Sequence, residues 1–368
     1  MNIDIHNHAI PQRVLDLVER EPAYGVSLDN GIWHGPNIGD FELVEAWASP
    51  DGKLRELDKK GLDAAVVSIA PKPLYFFELP LEPQSEVARE TNIGLSEYCA
   101  VHPDRLRWMA HAPLGYPDAA ARILKEAADL GTSGVQVAPS AAGRRLDDAA
   151  LDPFWEMVEQ LNVPVFLHPG YELQIPAFAD FSLGAIIGLP VETTIALERL
   201  ICAGHFDRYP SLQVVGAHGG GFFPYNVGRL RNYIRVRDSL RELPADPWSY
   251  VGRIKFDSLV YDIDTLRFLV QKAGAENIMI GTDCSFSSAP IAPVDELRAA
   301  IDDDEEFRRQ QEFRPRQLAV RQDIFDDLCV KFDRPHQSNS GHQGLIEAAR
   351  CDANQQNFPF DVGRRFTR

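Results

Sequence analysis

Residues 3–8 read Ile3-Asp4-Ile5-His6-Asn7-His8, an alternating segment that ends in two histidines one residue apart. Successive side chains of a β-strand point to opposite faces, so His6 and His8 project together, about 7 Å apart along the backbone. Ile3 and Ile5 then face the other way. Two imidazoles at the end of a buried strand form half of a site for a divalent metal. Because His-x-His pairs also occur by chance, two polar residues at a strand end remain the alternative.

The composition is that of a globular protein with one large core. The chain has 368 residues, of which 45% are hydrophobic and 25% charged. Its formal charge of -17 argues against nucleic acid as a partner, because phosphate binding needs a clustered positive surface. Five scattered cysteines without C-x-x-C spacing predict neither disulfides nor a zinc knuckle and favour the cytoplasm. We expect no membrane span and no signal peptide.

Strand-like and helical segments alternate along most of the chain. Predicted strands begin near residues 3, 63, 106, 134, 164, 212, 254 and 278, and helical stretches separate them. Eight such units predict an α/β fold, a (β/α)8 TIM barrel over residues 1–307. Residues 20–50, rich in Gly, Pro and aromatic residues, predict a long loop insertion after the first strand. Residues 308–368 are expected to form a divergent tail. Within it, residues 333–368 have little periodicity, which predicts disorder or loose attachment.

Metal-competent side chains stand at the carboxyl ends of four predicted strands. His8 ends the first strand, His168 the fifth, His218 the sixth and Asp283 the eighth. Active sites of such barrels lie at this end of the strands. A single histidine there is more often structural, but packing alone does not explain four such residues. With His6, they predict a metal site at the carboxyl face.

Four segments carry a resemblance to a known family: IDIHNH (3–8), VFLHPG (165–170), VVGAHGGGFFPYNVGR (214–229) and IMIGTDCSF (278–286). Together they resemble the amidohydrolase superfamily, in its branch of metal-dependent decarboxylases. The resemblance implies that one divalent metal, usually zinc, is bound by His6, His8, His168 and Asp283. It also implies that His218 is the catalytic acid/base. Aromatic-acid decarboxylases of this branch tend to open with Glu-x-His, so His6 favours the muconate-semialdehyde type.

The predicted site suits more than one reaction. Three neutral imidazoles and one carboxylate leave a metal at least one open position, and His218 lies close enough to move a proton. The function implied is non-oxidative decarboxylation of a small carboxylic acid from aromatic catabolism. Hydrolysis or hydration is the alternative, and a metal-binding barrel without activity is the non-enzymatic one. His218 could also be a fifth ligand or structural. The glycines of HGGG could admit a substrate or form a tight turn.

Candidates for substrate contacts are Arg229, His111 and Trp33. The resemblance implies that Arg229 reaches a neighbouring subunit's site, which predicts a homodimer, and arginine holds carboxylates bidentately. His111 ends the third predicted strand, and Trp33 lies in the long first loop. The sequence departs from the family in GDFELVEAW (39–47), where Glu42 stands in place of a substrate-binding arginine.

Overall fold

The fold is built around a ring of parallel strands. The computed structural model describes residues 1–302, apart from 37–39, 171–172, 174, 241–242 and 244–245. Within them the ring has eight strands, each starting within two residues of the predicted position. They are β1 (Ile3–Ala9), β2 (Ala64–Ile69), β3 (Leu106–Trp108), β4 (Val135–Val137), β5 (Val165–Leu167), β6 (Val214–Gly216), β7 (Ile254–Asp257) and β8 (Ile278–Met279).

Hydrogen bonds connect these strands in chain order. One ladder joins β1, β2 and β3, and a second joins β4 to β8. Single parallel bridges link the two ladders, Ala110 with Val135 after β3 and Asp4 with Ile280 after β8. The ring is therefore continuous, and the predicted (β/α)8 barrel is confirmed. The predicted tail, residues 308–368, lies outside the described residues, so the boundary at residue 307 stays a prediction.

Helices follow the strands and cover the outside of the barrel. They are α1 (Gln12–Arg20), α2 (Pro50–Lys59), α3 (Pro71–Leu74), α4 (Leu81–Ala100), α5 (Pro117–Asp129), α6 (Asp152–Leu161), α7 (Leu189–Cys202), α8 (His205–Arg208), α9 (Ala217–Gly220), α10 (Phe223–Val236), α11 (Ile263–Ala273) and α12 (Pro293–Asp302). The four-residue α9 is not a regular helix, because His218 and Gly219 have left-handed backbone angles inside it. Local chemistry sets the ends of the longer helices. Ser49 caps α2 by accepting from the Gly52 N–H, and α6 stops where Asn162 turns left-handed. None of the described helices is long and apolar enough to cross a membrane.

A bulge in β1 changes the predicted alternation of its side chains. The pairing of β1 with β2 shifts register between Asp4 and Asn7. Ile3 and Ile5 belong to the apolar cluster inside the barrel, and the His6 ring also packs against this cluster, edge-on to Phe166 with 5.0 Å between centroids. The expectation that isoleucines and histidines occupy opposite faces is wrong, because a bulge re-aims the residues beyond it.

The insertion after β1 is more ordered than an irregular loop. Residues Ser27–Asp29, Ile32–His34 and Phe41–Glu42 form a small antiparallel sheet, and short 3-10 helices at Pro22–Tyr24 and Glu45–Trp47 flank it. Its aromatic side chains are packed in the main core rather than held in solvent, since Trp33 contacts Phe41 and Phe41 contacts Trp47. The predicted insertion is present, and its aromatic side chains belong to the main hydrophobic core.

Candidate metal centre

Three histidine rings converge above the barrel interior, and a hydrogen bond from the Nδ1 atom fixes each ring. His6 Nδ1 donates to Asp257 at 2.6 Å, His8 Nδ1 donates to the Ile69 carbonyl at 2.8 Å, and His168 Nδ1 donates to the Pro169 carbonyl at 2.8 Å. A ring whose Nδ1 donates a proton presents the lone pair of Nε2. The three Nε2 atoms are therefore turned toward one point as potential ligands.

Asp283 brings a fourth donor to the same point. One ligand atom each from His6, His8, His168 and Asp283 lies within 4.8 Å of the other three. Nε2 of His6 is 3.0 Å from Nε2 of His168, and Oδ1 of Asp283 is 3.0 Å from Nε2 of His8. The His8 and Asp283 atoms are buried without a hydrogen-bond partner. Lone pairs packed this closely repel one another unless a cation lies between them, so the four residues fit a divalent metal.

The charges of the site lead to the same conclusion. Burial lowers the pKa of His8 to about 4, and burial together with His6 lowers the pKa of His168 well below its usual value. Both rings are thus neutral at pH 7, the form that binds metals. Burial would also lower the pKa of His6, but the charges of Asp283 and Asp257 raise it to about 10. This negative field attracts either a proton or a metal ion to His6.

Asp283 is positioned by a network that starts in β1. The buried Asp4 carboxylate accepts from Thr282 Oγ1 at 2.6 Å and from Asn7 Nδ2 at 2.7 Å. The Asp283 N–H donates to the His6 carbonyl at 2.8 Å. Although burial would raise the pKa of Asp283, the facing histidines, His6 first, lower it well below its usual value, so the ligand is anionic. Asp4 therefore has a structural role, since it ties β1 to the segment that carries Asp283.

Asp257, at the end of β7, is a central residue of the site that the sequence did not single out. Besides His6 Nδ1, its Oδ2 accepts from the His218 N–H at 2.9 Å, and its Oδ1 accepts from the Gly219 N–H at 2.7 Å. Burial would raise the pKa of Asp257, but the hydrogen bond from His6 lowers it. One buried carboxylate therefore orients a predicted metal ligand and fixes the backbone of His218. The only indication of this role in the sequence is that Asp257 lies at the end of a predicted strand.

His218 stands beside the metal-ligand cluster. Its Nε2 is 3.8 Å from Oδ2 of Asp283, and its ring centroid is 5.2 Å from that of His6. The backbone of His218 is left-handed, with φ of 55°, a conformation that is uncommon for residues other than glycine. The glycines that follow form a tight turn: a Cβ on Gly219 would lie 2.6 Å from Val260, and one on Gly221 would lie 2.1 Å from the Pro190 carbonyl.

Lys53 is a second buried residue that contacts the site and was not predicted from the sequence. Lys53 of α2 is fully buried, and its Nζ donates to the His8 carbonyl at 2.7 Å and to Ser285 Oγ at 2.9 Å. These bonds connect His8 in β1 to Ser285 in the segment that follows Asp283. Burial lowers the pKa of Lys53. The Lys53 side chain therefore ties the backbone of one predicted metal ligand, His8, to Ser285, two residues after Asp283.

A cavity of about 960 Å³ opens above the cluster. His168, His218 and Asp283 form its polar floor. The walls come from the segment before α7, the start of α10, and the loop after β7 with α11. Their side chains are mainly aliphatic and aromatic, and they include Ile186, Phe222, Tyr225, Leu259, Val260, Tyr261 and Phe268. The site thus combines a metal-binding floor with an apolar enclosure, as small-molecule sites do.

The three predicted substrate contacts lie outside the described cavity lining. His111 is buried and stacks on Tyr75, with ring centroids 5.9 Å apart. Trp33 is buried in the main core. The guanidinium of Arg229 lies over the Tyr233 ring of its own helix, 5.1 Å from the centroid. Contact of Arg229 with a neighbouring subunit stays a prediction.

Replacing Asp257 with Asn is expected to weaken metal binding about 10- to 100-fold without unfolding the protein. The asparagine carboxamide keeps one acceptor for the backbone N–H groups but offers an NH2 group to His6. The proton of His6 then moves to Nε2 and occupies the metal's position. Competition with a fluorescent chelator measures the affinity. Asp262→Asn, an exposed helix cap that accepts from the Thr265 N–H, is the control. Unchanged affinity in Asp257→Asn would contradict the orienting role.

Comparison with known proteins identifies the family. The amidohydrolase profile matches residues 3–327. The 2-amino-3-carboxymuconate-6-semialdehyde decarboxylase of Dictyostelium discoideum is 30% identical over 303 residues, which is 80% of this chain and 84% of that protein. Gamma-resorcylate decarboxylase of Rhodococcus jostii is 30% identical over 257 residues, 65% of this chain and 78% of that protein.

Solved structures agree on the fold. The 5-carboxyvanillate decarboxylase of Novosphingobium aromaticivorans, complexed with manganese and 4-hydroxy-3-methoxy-5-nitrobenzoic acid, superimposes with a TM-score of 0.66 at 24% identity. The match covers 85% of this chain and 93% of that one. The profile match over most of the chain and the 30% identical relative, on a barrel with this cluster at its carboxyl face, establish the assignment. The chain belongs to the amidohydrolase family.

Proposed function

We propose that this enzyme is a metal-dependent decarboxylase that removes carbon dioxide from a small aromatic or related unsaturated acid without oxidation. The observation that carries the proposal is the position of His218, whose Nε2 lies 3.8 Å from Asp283 Oδ2 on the floor of the cavity. An acid that binds with its carboxylate at the metal cluster places the carbon bearing that carboxylate next to the His218 imidazole. The named activities of the two relatives support the same reaction.

In this proposal each residue of the floor has a separate task. His6, His8, His168 and Asp283 hold one divalent metal. When bound, the metal would supply positive charge that holds an oxygen of the acid. His218 lies beside the four ligands, so it moves a proton rather than binding the metal. The apolar walls exclude water, which strengthens the electrostatic interactions on the floor.

The proposed reaction balances with one proton and no oxidant. His218 Nε2 delivers a proton to the ring carbon that bears the carboxylate. The bond between that carbon and the carboxylate then breaks, its electron pair restores the unsaturated system, and carbon dioxide leaves. The imidazole regains a proton from water. Asp257 keeps the His218 backbone in place during this exchange by accepting from its N–H group.

We infer that the metal is zinc, although the same ligands suit manganese. Three imidazole nitrogens and one carboxylate favour zinc over magnesium or calcium, which prefer oxygen donors. The 5-carboxyvanillate decarboxylase structure contains manganese. Elemental analysis of protein purified without chelators, followed by reconstitution with each metal, distinguishes the two.

The acid must be held largely by the metal within this subunit. None of the described side chains that line the cavity belongs to a lysine or an arginine. Glu42, which replaces the family's arginine, is exposed on the small sheet and does not line the described cavity. We therefore propose a substrate other than the muconate semialdehyde itself. The homodimer in which Arg229 completes a neighbouring site, and a cytoplasmic location, stay predictions.

Isotope labelling is expected to separate decarboxylation from the hydrolase and hydratase alternatives. The metal-loaded enzyme is incubated with carboxymuconate-type and hydroxybenzoate-type acids in deuterium oxide and, separately, in heavy-oxygen water. Decarboxylation releases carbon dioxide and leaves one deuterium on the former carboxyl carbon, because His218 delivers a solvent-derived proton there. The organic product retains no solvent oxygen. Mass spectrometry of the product measures both, with product alone in deuterium oxide as the control for spontaneous exchange.

Solvent oxygen in the organic product, without release of carbon dioxide, would contradict the proposed reaction. The metal cluster and His218 would then serve hydrolysis or hydration.

A further inference from the structure

We propose that the substrate of this enzyme carries an apolar substituent, an alkyl chain or a second ring, which binds in the outer part of the cavity. This inference deepens the proposed decarboxylation by naming the class of acid. It rests on the contrast between the polar floor and the outer wall formed by Ile186, Phe222, Val260, Tyr261 and Phe268.

The size of the cavity is the first observation. Its volume of about 960 Å³ lies at the upper end of the range of roughly 300–1,000 Å³ found for sites that hold drug-sized ligands. A single-ring hydroxy acid seated on the floor fills only part of this space. A substrate that displaces water from the remaining apolar volume gains affinity with every group it buries.

The position of the outer wall is the second observation. Ile186 lies in the π-helical turn Gly184–Gly188 before α7, Val260 lies in the loop after β7, and Phe268 lies on α11. These elements follow two different strands, β5 and β7, yet all three side chains line the cavity that ends at His218 and Asp283. The apolar surface is therefore continuous with the proposed catalytic floor.

The exposure of this wall is the third observation. Ile186 is 62% exposed, Tyr261 60% and Phe268 40%. Apolar groups grouped around a cavity mouth and open to solvent indicate a surface that binds an apolar partner. Continuity with the floor favours the substituent of the acid as that partner over a second copy of the chain.

Binding of a graded series of acids tests the proposal without requiring turnover. Hydroxybenzoic acids carrying hydrogen, methyl, propyl, pentyl or phenyl, placed meta or para to the carboxylate, are titrated into metal-loaded protein by calorimetry. His218→Asn protein provides the same measurement without consuming the ligand. Each buried methylene adds about fourfold in affinity, so the pentyl or phenyl acids of one isomer series are expected to bind at least tenfold more tightly than the parent. Carbon dioxide release is measured in parallel with wild-type enzyme.

Variants locate the effect. Phe268→Ala and Ile186→Asn change partly exposed side chains of the outer wall, so folding should tolerate them. Each is expected to reduce the ratio of pentyl to parent affinity several-fold. Phe181→Ala is the matched control, because Phe181 is 86% exposed and does not line the described cavity. It should leave the ratio unchanged.

The outcomes separate this inference from the proposed function. Carbon dioxide release from the parent acids, with no gain in affinity along either series, would overturn the apolar substituent and leave decarboxylation standing. Tight binding of the longer acids, without release of carbon dioxide from any of them, would overturn decarboxylation and leave the apolar substituent standing. A change of molecular mass by light scattering in Phe268→Ala or Ile186→Asn, with unchanged selectivity, would assign the outer wall to contact between copies and overturn the inference.

Discussion

His218→Asn is expected to retain its metal and to lose on the order of 100-fold or more in kcat. The reason is that His218 lies outside the set of four ligand atoms, with its Nε2 3.8 Å from the Asp283 carboxylate. Asparagine suits the site because it tolerates the left-handed backbone that His218 adopts, with φ of 55°. It removes the titrating imidazole and leaves the main chain in place.

The measurement pairs steady-state turnover with elemental analysis of the same sample. His102→Asn is the control, since His102 bonds to Asp51 near the surface and is remote from the cavity lining. Its metal content and kcat should equal those of the wild type. If His218→Asn instead loses metal in proportion to activity, His218 is a fifth ligand and the proposed acid lies elsewhere.

Asp283→Asn and His168→Ala are expected to reduce bound metal from about one ion per chain to near zero after dialysis. Asp283 is the anionic member of the cluster, and its Oδ1 faces Nε2 of His6 at 3.2 Å and of His8 at 3.0 Å. An amide in its place is a neutral, weaker donor and removes the negative charge that balances the cation. Asparagine again matches the left-handed backbone, since φ of Asp283 is 56°.

Thermal unfolding provides a second readout for this pair. A ligand present at 100 times its Kd stabilises a protein by about 2.7 kcal/mol, so a chelator should lower the wild-type Tm and leave the two variants unchanged. Asp264→Asn is the matched control, because Asp264 also lines the cavity but lies outside the ligand cluster. Full metal content in Asp283→Asn and His168→Ala would refute the site.

Much of the barrel could be predicted from the sequence because each strand and each helix has its own local sequence pattern. A buried parallel strand is a short run of apolar residues. In the helix that follows it, apolar residues recur every three to four positions. The strand starts therefore fell within two residues of the observed ones. His8, His168 and Asp283 could be grouped for a related reason. Parallel strands of a barrel bring their carboxyl ends to one face, so residues far apart in sequence meet there.

The sequence by itself predicted the barrel, the grouping of His6, His8, His168 and Asp283, and the position of His218 beside them. It could not determine Asp257, whose carboxylate meets His6 across 251 positions of the chain, or Lys53, whose amine reaches Ser285 across 232. Nothing local distinguishes these two among 54 acidic and 37 basic residues, because their roles arise from burial and from partners on other strands. For the same reason only the tertiary structure decided that His111 and Trp33 lie outside the described cavity lining. Packing against Tyr75 and Phe41, which periodicity does not encode, holds both in the core.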